Sequence, residues 1–399
     1  VFLFVLELIV ANSKTIYYLC IMFKAFKYRV YPNSEQKELI HKHFGCVRWV
    51  YNYALNKKIT AYQVDKTSLS RFDIQGDLPK LKKSEAAFLK EVIAQSLQAS
   101  LENLDKAYTK FFRDKKGFPK FKSKKDNRQS FSVPQNAKIN FADSTLSLPK
   151  FKQGIRIVLD RSFKGKIKTV TVSKTPTGKY FVSVLVETNE SIQPKNPIDE
   201  NKAVGIDLGI KTFATLSDGT SIANPKFLRK SLKKLKRLQR SVSRKKKGSE
   251  NRAKAINKLA LIHEKVSSQR NDFLHKTTTF LVRNYDTICL ETLKPSNMAK
   301  NHRLAQALSD IAIGKFNQFL EYKAEWYGKN ILRIGQFEPS SKLCTCGEIN
   351  RELKLSDRTW ICKKCNAKHD RDQLAANNIK RMAFYSLNKD TAGQAEIHA

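Results

Sequence analysis

Four cysteines in the last third of the chain, Cys344, Cys346, Cys362 and Cys365, constrain the fold more than any other feature. They read C-x-C-x15-C-x2-C, and four thiolates within 22 residues are the signature of a structural Zn2+ ribbon with no open coordination position. A zinc knuckle ordinarily keeps two residues between its paired cysteines, so that backbone amides turn beneath both sulfurs. Cys344-Thr345-Cys346-Gly347 has one. The spacing therefore predicts a strained first knuckle, with a ribbon that no longer holds zinc as the alternative. Directly behind it comes His369-Asp370-Arg371-Asp372, an acidic segment that opens a helical stretch, LAANNIKRM.

Two further carboxylates end strand-like runs upstream. Asp207 lies inside AVGIDLG, where a buried unpaired charge would cost several kcal/mol. Glu291 follows Ile288-Cys289-Leu290 in the same way. One such acid is usually a cap or a surface charge; three, each where a strand ends or a helix begins, predict a metal-binding triad. Carboxylates suit hard Mg2+ or Mn2+. Two such ions ~3.5–4 Å apart can clamp a scissile phosphate, one activating water and the other stabilising the leaving oxygen. Asp207 would then bridge both ions, with Glu291 and Asp372 each completing one site. No serine, tyrosine or histidine arrangement competes as a nucleophile system.

The charge balance names the partner. With 75 Lys+Arg against 36 Asp+Glu, the formal charge is +39 over 399 residues, an imbalance that calls for a polyanion. The basic residues run the whole length, without a long lipid-anchoring helix, so nucleic acid is favoured over a membrane. Arg229 to Lys247 holds eleven basic residues and no acidic one, with leucines at helical spacing on the other face. A solvated face is the usual meaning of a charge run. Here the missing countercharge points to phosphate contact by Lys233, Lys234, Lys236 and Arg237. GFPKFKSKK alternates Phe118 and Phe121 with Lys120 and Lys122, a pattern that suits either a stacking platform for unpaired bases or a basic loop plugging a core.

The remaining cysteines, Cys20, Cys46 and Cys289, stand alone in apolar contexts, which predicts buried thiols and a reducing, cytoplasmic setting. Residues 1–21 begin VFLFVLELIV, too short for a membrane span and without a basic flank, and read as an upstream extension ahead of Met22. Asn33 with Gln36 predicts a capped helix through Leu55, and a second helix is expected from about Ser84 to Phe112. From Ser130 to Glu187 the period is two, as in a small antiparallel sheet or barrel. Strands are expected at Ala203–Leu208, Thr212–Leu216, Thr287–Leu290 and Ile331–Ile334, with a helix from about Leu304 to Trp326.

On these residues the chain resembles the TnpB (OrfB) proteins of bacterial insertion-sequence transposons, relatives of the type V CRISPR effectors. The matching segments are KAFKYRVYPNSEQ, FGCVRWVYN, GFPKFKSKK, GIDLGIKTFATLSDG, LETLKPSNMAKN, EYKAEWYGKN, FEPSSKLC and HDRDQLAANNI, spanning Met22 to about Met382. The resemblance implies a multidomain α/β chain: an RNase H-like (RuvC) nuclease core with an inserted zinc ribbon, an N-terminal helical module and a small antiparallel β-barrel. It implies a transposase-type protein that takes a transposon-derived guide RNA and cleaves matching double-stranded DNA beside a short flanking motif. Its acids fall by motif on Asp207, Glu291 and Asp372, with Asp370 as rival for the third. Two departures stand out, the shortened Cys344–Cys346 pair and Leu374 where the family has asparagine, a polar group expected beside the metal site.

The expected organisation is an extension at 1–21, a wedge-like barrel at 22–38 and 129–198, and a helical recognition module at 39–128. A nuclease would occupy 199–338 and 368–386 with a basic hairpin at 226–275, the ribbon 339–367, and a flexible tail 387–399. Two rival functions remain. A DDE transposase shares the acid triad but would not be expected to carry a ribbon between its second and third acids. A nuclease-inactive RNA-guided repressor would be expected to lack one of the three acids, and all are present.

Overall fold

The computed structural model describes residues 5–6, 19–126, 129–293, 302–354 and 356–397. They form two compact units, divided between Ser191 and Ile192. The expected extension at 1–21 lies outside the described residues apart from 5–6 and 19–21. Among the described residues no helix is long and apolar enough to cross a membrane.

The first unit combines an antiparallel sheet with three helices. Its elements in order are β1 (Val5–Leu6), β2 (Leu19–Tyr31), α1 (Ser34–Asp65), α2 (Arg71–Lys83), α3 (Ala94–Arg113), β3 (Gln129–Val133), β4 (Lys138–Asn140), β5 (Thr145–Ser147), β6 (Ile155–Val158), β7 (Lys166–Lys174) and β8 (Tyr180–Ser191). The strand order is β3-β7-β8-β2-β6-β5-β4, every pair antiparallel. Alternation along β8 puts Tyr180, Val182, Val184 and Val186 inside, as the period of two predicts. At α1 the capping box is complete: Asn33 Oδ1 accepts from the Gln36 N–H at 2.8 Å and Gln36 Oε1 from the Asn33 N–H at 3.0 Å.

The helix expected from Ser84 to Phe112 is instead a turn at 84–86 that follows α2, a 3-10 turn at Ala87–Glu91, and α3 from Ala94. The break has a cause. His43, fully buried on α1, donates from Nδ1 to the Leu39 carbonyl at 2.8 Å and accepts the Ile93 N–H on Nε2 at 3.0 Å. That amide is thereby withdrawn from helical bonding. Burial pushes the His43 imidazole down to about 4, which keeps it neutral in this role.

The second unit is a five-stranded mixed sheet flanked by helices. Its elements are β9 (Ala203–Leu208), β10 (Thr212–Leu216), β11 (Ser221–Ala223), α4 (Phe227–Ser243), α5 (Glu250–Asn284), β12 (Thr287–Glu291), α6 (His302–Ile311), α7 (Ile313–Trp326), β13 (Asn330–Ile334), β14 (Thr359–Ile361), β15 (Lys368–Asp370) and α8 (Arg371–Ile397). Sheet order is β11-β10-β9-β12-β13. The first three strands pair antiparallel, whereas β9, β12 and β13 run parallel. The helix expected at 304–326 is broken into α6 and α7 by Ala312, which takes the left-handed conformation at φ 54°. The segment read as a tail continues α8 to Ile397. Gly205 on β9 is what lets α8 lie on the sheet: a Cβ there would sit 2.1 Å from the Ala376 carbonyl oxygen and 2.8 Å from the Lys380 nitrogen.

Candidate metal centres and nucleic-acid surfaces

The three carboxylates converge on one end of the second unit's sheet. Parallel pairing sets Leu290 opposite Ile206, so Glu291 and Asp207 are the next residues along adjacent strands. Asp372 enters from the first turn of α8. That turn is tied to the end of β10, because Gln373 Nε2 donates to the Leu216 carbonyl at 3.1 Å and the Ser217 carbonyl at 3.2 Å. Burial, then the charges of Glu291 and Asp372, push the Asp207 carboxyl up to about 7, against the opposing pull of Arg371 and Arg358. A carboxyl so placed lacks positive charge, and hard divalent cations are what oxygen donors of this kind hold. The residues fit such an ion chemically. Their donor atoms are not gathered: among the described residues, only the cysteine set brings three or more candidate ligand atoms within 4.8 Å of one another.

Each remaining acid has its own partner. Asp372 is paired with Arg358, whose guanidinium lies 3.2 and 3.3 Å from its two oxygens. Glu291 accepts a short hydrogen bond from Ser340 Oγ. Asp370, the rival third acid, is used differently: Oδ1 accepts the Gln373 N–H at 2.9 Å and so caps α8.

The ribbon closes despite its shortened knuckle. Cys344 and Cys365 place their sulfurs 3.5 Å apart, and Cys346 and Cys362 3.7 Å. A tetrahedron with Zn–S near 2.3 Å has S···S edges of ~3.8 Å, so the four thiols fit zinc. The shortened first pair does not keep the set apart, since all four sulfurs lie within 4.8 Å of one another. Against the cost of burial, hydrogen bonds from the Cys346 backbone and the His369 ring hold the Cys344 thiol down at about 5. His369 Nε2 lies 3.0 Å from that sulfur, in the position of a donor to a metal-bound thiolate. The position where the family's polar asparagine was expected is apolar in its surroundings: Leu374 packs with Cys344, Leu353, Trp360 and Cys362 in the ribbon's small core.

On α4, Lys233, Lys234, Lys236 and Arg237 are all exposed while Leu235 is buried, so the basic face looks to solvent. Asp310 anchors the start of this helix, accepting from the Leu228 and Arg229 N–H groups and pairing with Arg270 on α5 at 3.2 Å. In the first unit, Phe118, Lys120 and Phe121 are exposed. Phe118 nonetheless packs edge-on against Tyr108 and Phe111, so both sequence readings of this loop hold in part. Lys122 is turned toward the protein: its ammonium lies 3.8 Å from the centre of the Tyr51 ring. Asn52 clamps its backbone through both the N–H and the carbonyl.

Sequence reasoning missed Arg358, Ser340, Asn378 and His369. Asn378 is buried on α8 and donates to the Ser340 and Leu343 carbonyls at 2.7 and 2.6 Å, fixing the segment that carries Ser340 to Glu291. A second asparagine two residues after the Ala375-Ala376 pair, inside an apolar helical stretch, was the available signal. Arg358 gave none, because its partner is brought to it only by the β14–β15 pairing.

Comparison with known proteins follows the same segments. A family model described as "Probable transposase" (OrfB_IS605) matches residues 182–302. A "Helix-turn-helix domain" model matches 22–67, which here is β2 followed by the single helix α1. A "Cas12f1-like, TNB domain" model matches 314–379. A "Putative RNA-guided DNA endonuclease" of Streptomyces pristinaespiralis is 41% identical over 89% of this chain and 88% of its own length. "Putative RNA-guided DNA endonuclease InsQ" of Escherichia coli K12 is 32% identical over 89% and 91%. The solved Cas12f1-sgRNA-target DNA complex aligns over 90% of this chain and 99% of that one at 14% identity, with a TM-score of 0.47, too low to support inference.

Proposed function

The chain belongs to the TnpB (OrfB) family of insertion-sequence transposons, and on that premise we propose that it is an RNA-guided DNA endonuclease with Asp207, Glu291 and Asp372 as its catalytic carboxylates. The observation that carries this reading is the half-buried Asp207 at the end of β9, next to Glu291 on the adjacent parallel strand and close enough to Glu291 and Asp372 for their charges to help push its carboxyl up to about 7. The sheet supports an RNase H-like (RuvC) core, since three antiparallel strands followed by two parallel ones put the first two acids on neighbouring strands.

Divalent ions such as Mg2+ or Mn2+, when held by these acids, would supply an activated water and stabilise the leaving oxygen. The chain's own residues set the stage. With its carboxyl pushed up to about 7, Asp207 holds a proton more readily than an ordinary carboxylate, so an arriving cation would compete with that proton. Asp372 is neutralised by Arg358, which must share or release it. Released, the guanidinium is left beside the acids, where it can meet a phosphate oxygen in a bidentate manner. Ser340 and Asn378 orient Glu291 from behind. Zinc, held by Cys344, Cys346, Cys362 and Cys365, stabilises the ribbon that presents Arg358 and leads into α8. The lysines and arginine of α4, with Phe118, Lys120 and Phe121, suit contact with guide RNA and target DNA. Lys122 contributes through the loop it pins.

Sequencing RNA that co-purifies with the full chain, then offering DNA that matches it, tests the reading. Mg2+-dependent cutting of matched but not scrambled duplex supports it; binding without cutting would leave a repressor.

A further inference from the structure

A cavity of about 540 Å3 opens between the C-terminal half of α1, the loop 66–70, the end of α3 and the GFPKF loop. Its walls are aromatic. Tyr108 and Phe112 lie near-parallel with centroids 6.2 Å apart, and Phe118 closes edge-on at 5.6 Å from Tyr108. Tyr62 stands at the mouth. Large apolar side chains lining a real core would be covered, yet Phe112 is 72% exposed, Tyr62 59% and Phe118 46%. The volume falls within the ~300–1,000 Å3 typical of ligand pockets.

The surroundings decide what could enter. Residues 113–125, which run on from the lining residue Phe112 and include Phe118, carry seven basic side chains against one acid, and Lys115, Lys116 and Lys120 among them are exposed. Lys66 lies 5.3 Å from the centre of the Tyr62 ring, so the mouth already holds a cation over an aromatic face. Inside, the Lys58 ammonium lies 5.3 Å from the centre of the Tyr108 ring and is paired with Asp105 at 3.2 Å, so its charge is compensated within the wall. Gln63, Thr67 and Ser68 supply donors and acceptors at the edge. A flat, uncharged, polar-edged ring attached to a polyanion matches each part. A lipid tail would leave the polar edge unused, and an apolar peptide the lysines.

We infer that this cavity is a binding site for one unpaired nucleobase, extruded from a single-stranded stretch of nucleic acid and stacked among Tyr62, Phe112 and Phe118. The inference rests on the nucleic-acid reading above and adds a site to it. Such stacking tolerates any base, because every base offers a π-face, while the lysine rim holds the flanking phosphates.

The full-length protein is titrated into pyrimidine oligonucleotides carrying one 2-aminopurine, in deoxyribose and ribose forms, with a duplex of the same length as control. Wild-type protein is expected to quench the fluorophore. Phe112→Leu and Tyr62→Leu, both on exposed side chains, are expected to weaken single-strand affinity about 5- to 150-fold. Phe112→Tyr should retain it. Duplex affinity and the salt slope should stay unchanged, since no phosphate contact is lost. The deoxyribose and ribose arms then tell which strand is taken. Folded leucine variants that keep full single-strand affinity and quenching would overturn the site while leaving the nucleic-acid reading intact. Equal loss on single strand and duplex with a lowered Tm would reduce the cluster to packing and overturn it too. Wild-type protein that binds neither form would sink the functional reading along with it.

Discussion

Gly205 on β9 lies directly against the backbone of Ala376 on α8, where a Cβ on Gly205 would come within 2.1 Å of the Ala376 carbonyl oxygen. The obstacle is backbone, so it cannot swing aside as a flexible side chain would. Gly205→Ala should push α8 off β9, costing on the order of 1–3 kcal/mol, and should carry Asp372 away from Asp207. Thermal denaturation and guided cleavage check this: both should fall together. An unchanged Tm would mean that α8 does not dock on β9 in this way.

Asp207 makes the metal-free protein sensitive to rising pH. Its folded value of about 7 lies above the ordinary 3.8, so the folded state holds a proton that the unfolded state has released. That contribution is fully present below about 3.8 and is lost as pH rises through about 7. Asp207→Asn should therefore raise the Tm of divalent-free protein near pH 8, and Mg2+ should stabilise the wild type but barely the variant. A variant that melts lower than wild type in EDTA at pH 8 would contradict the half-buried carboxyl raised by its acidic neighbours.

His43 works in the opposite direction. Its folded value of about 4 lies below the ordinary 6.5, so its contribution is present above 6.5 and lost as pH falls through about 4. The window is worth on the order of 3 kcal/mol. His43→Gln keeps an acceptor for the Ile93 N–H and removes the titration, so it should flatten the pH dependence of stability between 4 and 6.5. Parallel slopes in wild type and variant would place the acid sensitivity elsewhere.

The first unit also shows where sequence reading stops. The capping box at Asn33 and the period of two along β8 are local signals, and both are realised. Helix α2 escaped notice because Gly76 and Pro79 interrupt it, although Ser70 and Asp73 form a second capping box that announced it. The break at Ile93 was hidden for a different reason: a histidine fifty residues away sets it. In the second unit, Asp207 and Glu291 stood out because a charge ending an apolar run needs an explanation. Arg358 and Ser340 are ordinary polar residues in the sequence until the fold brings them to Asp372 and Glu291.

Leu374 illustrates a motif departure whose meaning changed with its surroundings. Because it fills the ribbon core, Leu374→Asn should bury an amide against Trp360 and two cysteines at a cost of roughly 1–3 kcal/mol. Zinc should then leave faster to a chelator, as followed by a colorimetric indicator. Native mass spectrometry should find one Zn2+ on the wild type, and inserting a residue between Thr345 and Cys346 should bring no gain in retention. Improved retention in either variant would restore the strained-knuckle and lost-asparagine readings.

The carboxylates carry the central claim, and guided DNA cleavage by alanine variants tests it most directly. Asp207→Ala, Glu291→Ala and Asp372→Ala should each reduce Mg2+-dependent cutting by roughly a hundredfold or more, with RNA and target binding largely kept. Asp370→Ala removes a helix cap worth about 1 kcal/mol and should lower stability while cutting persists. The account is contradicted if Asp370 proves essential and Asp372 dispensable, or if the unaltered protein binds RNA and matching DNA yet cuts nothing under Mg2+ or Mn2+.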